Sequence, residues 1–127
     1  MPNRVVFISH PLRGARFSPQ RRADMAAVRR ILEGVHRRAK GKIVPIAPYL
    51  LYGECREDVD AARGQLIGWH LNPPRKLWLY GDSVSDVMRV EAAHAHRSGL
   101  RVVIKSPRIT KADLDCPENR NYLIAAE

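Results

Sequence analysis

Four short runs of large apolar and β-branched residues punctuate this chain: Val5-Val6-Phe7-Ile8-Ser9, Ile43-Val44-Pro45-Ile46, Leu77-Trp78-Leu79-Tyr80 and Arg101-Val102-Val103-Ile104. Each is near-continuously apolar rather than alternating, the pattern of strands buried on both faces. The stretches between them read as helices. The first opens with Ser18-Pro19, an N-cap followed by proline at the first helical position. It carries Met25, Val28, Ile31, Leu32 and Val35 at helical spacing, and Gly41 ends it. A second helix is expected from Glu57 to about Leu71, with Val59, Ala62, Leu66, Ile67 and Trp69 or His70 facing inward, before Asn72-Pro73-Pro74 breaks it. A third follows the Leu77 run and stops at Ser98-Gly99. Thr110 with Asp113 three residues on is one more start signal. Pro45 suits the end of a strand or an edge strand. Strand alternating with helix implies parallel crossovers of right hand and a doubly wound sheet. The expected fold is a three-layer α/β sandwich with a parallel sheet of about four to five strands, formed as one domain over residues 1–127.

The net charge is +9, carried mostly by arginine, which favours anionic partners such as nucleotides or nucleic acid. The densest groups, Arg21-Arg22, Arg29-Arg30 and His36-Arg37-Arg38, fall on the predicted helix 19–39 and read as one basic stripe on its solvent side. That stripe is either a solvated face or a dock for a polyanion or acidic partner. No apolar run is long enough to span a membrane. Met1-Pro2-Asn3-Arg4 leads straight into a strand without a signal peptide, so a cytoplasmic protein is expected, with Cys55 and Cys116 as free thiols. No histidine, cysteine and carboxylate cluster has ligand spacing, so no metal or redox cofactor is expected.

In a doubly wound sheet, ligands sit beyond the carboxyl ends of the strands. Three segments are expected there: Ser9 to Gly14, Ala47 to Asp60, and Gly81 to Glu91. Glu91 stands out. Its helical neighbours Val87, Met88, His94 and Ala95 include no lysine or arginine to form the usual surface ion pair. It either reaches solvent or an arginine from elsewhere, or it carries chemistry. Ser85 is an N-cap candidate, and the amides after it make a place for a phosphate. Glu91 lies roughly 9 Å further along the helix axis, a span that a nucleoside monophosphate matches. In the first loop, Pro11, Arg13 and Gly14 suit a turn that aims amides and a guanidinium at an anion. The glycine spacings of a P-loop or dinucleotide fingerprint are missing. His10 is either a base or a turn residue.

Phe7-Ile8-Ser9-His10-Pro11-Leu12-Arg13-Gly14, Pro45-Ile46-Ala47-Pro48-Tyr49-Leu50-Leu51-Tyr52, and Trp78-Leu79-Tyr80-Gly81-Asp82 with Ser85, Met88 and Glu91 together resemble the nucleoside 2-deoxyribosyltransferase-like superfamily. The likeness is to its small bacterial and phage branch and covers about residues 4 to 104 in order. It implies a flavodoxin-like or Rossmann-like fold and cleavage or transfer of the N-glycosidic bond of a (deoxy)nucleoside or its 5′-monophosphate. It places the nucleophile at Glu91 and a phosphate-binding serine at Ser85. A second acid would assist the leaving base. Asp58, Asp60 and Asp82 are candidates, with Asp60 and Arg63 in the segment where relatives contact substrate. Glu57, Asp58 and Asp60 can equally serve only to favour a helix start. Ser9, His10, Pro11, Arg13, Gly14, Tyr49 and Met88 complete the expected pocket. The resemblance also implies a dimer or larger assembly, with Asn119, Asn121 and Tyr122 as contributors to the contact. Four positions depart from the family pattern. Phe7 stands where a tyrosine hydroxyl orients the nucleophile, and Tyr49 where the small branch has histidine. Arg75 replaces a common aspartate, and Val87 replaces the glycine before the methionine. The alternative is a nucleotide-binding or nucleic-acid-associated protein on the same fold, without catalysis.

Overall fold

The structure is a computed structural model and describes residues 4–50, 66, 69 and 73–114. Strand β1 (Val5–Ser9) leads to helix α1 (Pro19–Ala39) and strand β2 (Val44–Ile46). Strand β3 (Lys76–Leu79), helix α2 (Asp86–Arg97) and strand β4 (Arg101–Ile104) follow, then a short 3₁₀ turn, Lys111–Leu114. The strands form one sheet in the order β2-β1-β3-β4, and every pairing is parallel. The expected α/β sandwich with a small parallel sheet is therefore the observed fold. Pro45 lies on edge strand β2, where its missing N–H costs the ladder least.

Register assigns the two faces. Phe7 pairs with Leu77, and Leu77 with Val102; Ile8 pairs with Trp78, and Trp78 with Val103. Phe7, Leu77, Leu79, Val102 and Ile104 pack with Met88, Ala92 and Ala95 of α2, in a cluster that also takes in Val28. Val6, Ile8, Trp78 and Val103 pack with Val35 and Ile31 of α1. A helix therefore packs on each face. Because side chains alternate along a strand, Ser9 points to the same side as Phe7, toward α2.

The caps fall where the sequence placed them. Ser18 accepts a hydrogen bond from the Arg21 amide at 3.1 Å, with Pro19 at the first helical position. The helix ends at Ala39, within the expected range 19–39, where Lys40 adopts the left-handed conformation (φ 52°) and its amide bonds back to the Arg37 carbonyl. Ser85 caps α2 by accepting from the Met88 amide at 3.3 Å. The Thr110 amide donates to Asp113 Oδ2 at 2.8 Å, the reciprocal half of a capping box, and only a 3₁₀ turn follows. The helix expected from Glu57 to about Leu71 lies outside the described residues except Leu66 and Trp69, and both of these are buried.

Candidate functional site

The sheet order places a switch point between β1 and β3. The chain leaves β1 toward β2 on one side and leaves β3 toward β4 on the other, and ligands of doubly wound sheets sit beyond the carboxyl ends at such a point. The buried polar residues converge there. Among the described residues they are Ser9, His10, Arg21, Asp24 and Glu91. Every one lies in the segment from Ser9 to Gly14 or is hydrogen-bonded to it.

Glu91 is 1% exposed, on the inward face of α2. It does not reach solvent. The Ser9 hydroxyl donates to its Oε1 at 2.7 Å, across 82 positions of sequence. The last residue of β1 and the middle of α2 are thus joined at the switch point. Phe7 lies two residues earlier on the same face and carries no hydroxyl. Its ring sits against Tyr49 and Trp69, at centroid distances of 5.9 and 5.1 Å.

Arg13 does not present a free guanidinium. Its amide and Nε donate to Asp24 Oδ2 at 2.7 and 3.1 Å, and Nη2 donates to Oδ1 at 3.0 Å. Its Nη1 reaches Asp82 Oδ1 at 2.8 Å. One side chain therefore ties the loop after β1 to α1 and to the loop after β3. Burial pushes the Asp24 carboxyl up. The hydrogen bonds from the Arg13 guanidinium and amide outweigh this and hold it below the usual aspartate value. The same ion pair raises the Arg13 guanidinium, so it stays charged throughout the working pH range.

Arg21 corrects the sequence reading. It was placed on the solvent stripe of the basic helix, but it is 5% exposed, and its Nη2 donates to the Gly14 carbonyl at 2.9 Å. Its Nε also reaches the Arg13 carbonyl. The rest of the stripe (Arg22, Arg29, Arg30, His36, Arg37 and Arg38) is exposed. Asp24 was missed altogether, although a signal was present. Asp24, Val28, Ile31 and Val35 share one helical face, and Arg21 sits a turn before them.

Pro11 and Gly81 bring the two loops close together. A Cβ on Gly81, whose φ is 107°, would lie 2.7 Å from Pro11 Cδ. His10 is buried, and its Nδ1 lies 2.6 Å from the Pro11 carbonyl. A carbonyl can only accept, so that nitrogen carries the hydrogen. Tyr49 and Met88 are fully buried. Tyr49 donates its hydroxyl to the Ile8 carbonyl at 2.6 Å, while Met88 packs in the apolar core. Asp58, Asp60, Arg63, Asn119, Asn121 and Tyr122 lie outside the described residues. Among the described residues, no three metal-ligating side chains gather, and no helix is long and apolar enough to cross a membrane.

Fold and site together define a doubly wound α/β domain that gathers its buried polar groups at the switch point. Within that class the chain belongs to a family described as a domain of unknown function, DUF7768, whose model matches residues 4–105. No curated protein and no solved structure matches the chain.

Proposed function

We propose that this domain cleaves or transfers the N-glycosidic bond of a (deoxy)nucleoside or its 5′-monophosphate, with Glu91 as nucleophile. The observation that carries the reading is the Glu91 carboxyl itself. It is nearly fully buried at the switch point and oriented by the Ser9 hydroxyl at 2.7 Å. Burying a carboxyl is costly, and a hydrogen-bonded one held at a ligand-binding edge is a common device of α/β enzymes. The hydroxyl that Phe7 does not supply is available from Ser9, two residues further along the same face.

In this reading Glu91 attacks C1′ of the sugar as the bond to the base breaks. The bonding electrons leave with the base nitrogen, which a general acid protonates. Water or a second base then attacks C1′ and frees Glu91, giving hydrolysis or transfer. The phosphate of a monophosphate is assigned to the start of α2. Ser85 can serve there while capping, since a hydroxyl that accepts from the Met88 amide keeps its own hydrogen to donate. Asp82, ion-paired to Arg13, is assigned to holding the two loops together. The acid is assigned to Asp60. At 1% exposure Glu91 must be uncovered before a sugar carbon can reach it, so the reading requires an opening step. Chromatographic detection of free base from deoxynucleosides and their 5′-monophosphates, with wild type beside Glu91→Ala, tests it.

A second reading, binding of nucleic acid without turnover, is favoured by the exposed arginines of α1 together with the net charge of +9. It predicts salt-sensitive oligonucleotide binding that is unchanged in Glu91→Ala.

A further inference from the structure

The face of the sheet opposite Glu91 carries a second concavity. It is a cleft of about 410 Å³ between the C-terminal half of α1 and the strands β3 and β4. That volume is within the range of small-molecule sites. Val35 and Ile43 supply apolar wall, Trp78 and Tyr80 supply aromatic surface, and Arg38 and Lys105 supply positive charge. No acidic side chain lines it among the described residues. Trp78 and Tyr80 reach this side because they alternate with Leu77 and Leu79, which face α2.

Three details distinguish the cleft from a gap in packing. Trp78 is 7% exposed, yet its indole Nε1–H has no hydrogen-bond acceptor among the described residues. A donor shielded from water with nothing to donate to is rare in folded proteins. Lys105 Nζ lies over the Trp78 ring, 4.1 Å from its centre, so an ammonium is held against the aromatic face by a cation–π contact. A smaller cavity of about 70 Å³ shares Ile43 and Trp78 and adds Arg4, Lys42, Arg75 and Lys76 to its walls. The whole groove is therefore electropositive around an indole.

We infer that this cleft binds a small planar aromatic anion. Its ring lies against Tyr80 and the part of Trp78 that lines the cleft, and its carboxylate or phosphate lies between Arg38 and Lys105. Apolar wall with a few convergent polar groups is the general design of such sites. The sheet separates the cleft from Glu91, so the two sites are distinct. Tyr80, whose hydroxyl burial pushes up while Arg38 pulls it down, remains protonated and able to donate at neutral pH.

The test is calorimetric titration of the full chain with 1-naphthoate, beside 1-naphthalenemethanol (ring without charge) and acetate (charge without ring). Saturable binding of naphthoate, at least about tenfold tighter than either control, is expected. The exposed-side substitutions Arg38→Ala and Lys105→Ala should each weaken it about fivefold or more, with circular dichroism unchanged. Glu91→Gln, on the other side of the sheet, should leave it intact. Absence of saturable naphthoate binding would overturn the inference. So would binding indifferent to Arg38 and Lys105, or preferential binding of an eight-residue oligothymidylate that the same substitutions abolish.

Discussion

Ser9 and Glu91 illustrate how a β-strand end can fix a buried side chain of a facing helix. Ser9 faces α2 by strand parity, and its hydroxyl reaches Glu91 Oε1 at 2.7 Å. Ser9→Ala leaves that oxygen without this donor in a buried site. The expected cost is about 1–3 kcal/mol of stability, read as a fall in the urea midpoint with unchanged slope. Turnover of any nucleotide substrate should fall with it. The Arg13–Asp24 pair makes a pH prediction. Asp24 is held below its ordinary value, so the fold favours its ionised form. Its contribution is fully present above the unfolded value near about pH 4 and is lost as pH falls through the lower folded value. Asp24→Asn should therefore melt below wild type at pH 6, and the gap should close as pH falls from about 4 toward 2. A constant gap over that range would contradict the assignment. Glu91 stood out in the sequence because it lacked a helical partner. Asp24 did not, because a carboxylate among arginines reads as surface pairing until its place on the apolar stripe is noticed.

At the scale of elements, α2 is capped by Ser85, and the proposed function gives that cap a second role. Ser85 terminates unpaired amides and, in the proposed reading, donates to a phosphate. The two roles separate by substitution. Ser85→Ala should cost about 1 kcal/mol, and Ser85→Gly only a few tenths, because glycine is a tolerable cap. Both should raise KM for monophosphates relative to nucleosides by similar factors. A preference that follows stability rather than loss of the hydroxyl would remove Ser85 from the phosphate site. The strands and both described helices were legible because β-branched runs, Ser18-Pro19, Ser85 and Ser98-Gly99 are local signals, set by backbone chemistry within a few residues. What was not legible depends on distant pairings. Arg21 turns inward because the carbonyls of Arg13 and Gly14 need donors at a tight loop, and helix periodicity does not register that demand. Arg13 likewise looked like an anion ligand, since neither Asp24 nor Asp82 is near it in sequence.

For the molecule as a whole, the strand order β2-β1-β3-β4 sets where polar groups can be buried. Elsewhere the described core is apolar, and the buried polar side chains all gather around one loop at the switch point. Strand–helix alternation was enough to anticipate the sheet, because parallel crossovers leave few alternatives. It could not reveal that Glu91 would be closed off from solvent, which depends on how loops pack over the edge. The exposed arginines of α1 give the rival account its own test. Replacing Arg29 and Arg30 by glutamate should abolish oligonucleotide binding if the domain is a nucleic-acid binder, and should leave base release from mononucleosides unchanged if it is a glycosidase. The central claim, that Glu91 is a nucleophile, is tested most directly by chromatography of free base after incubation with deoxynucleosides and their 5′-monophosphates. Base release by wild type and none by Glu91→Ala is the predicted result. No release from any substrate by the folded wild-type protein, or equal release by both proteins, would contradict it.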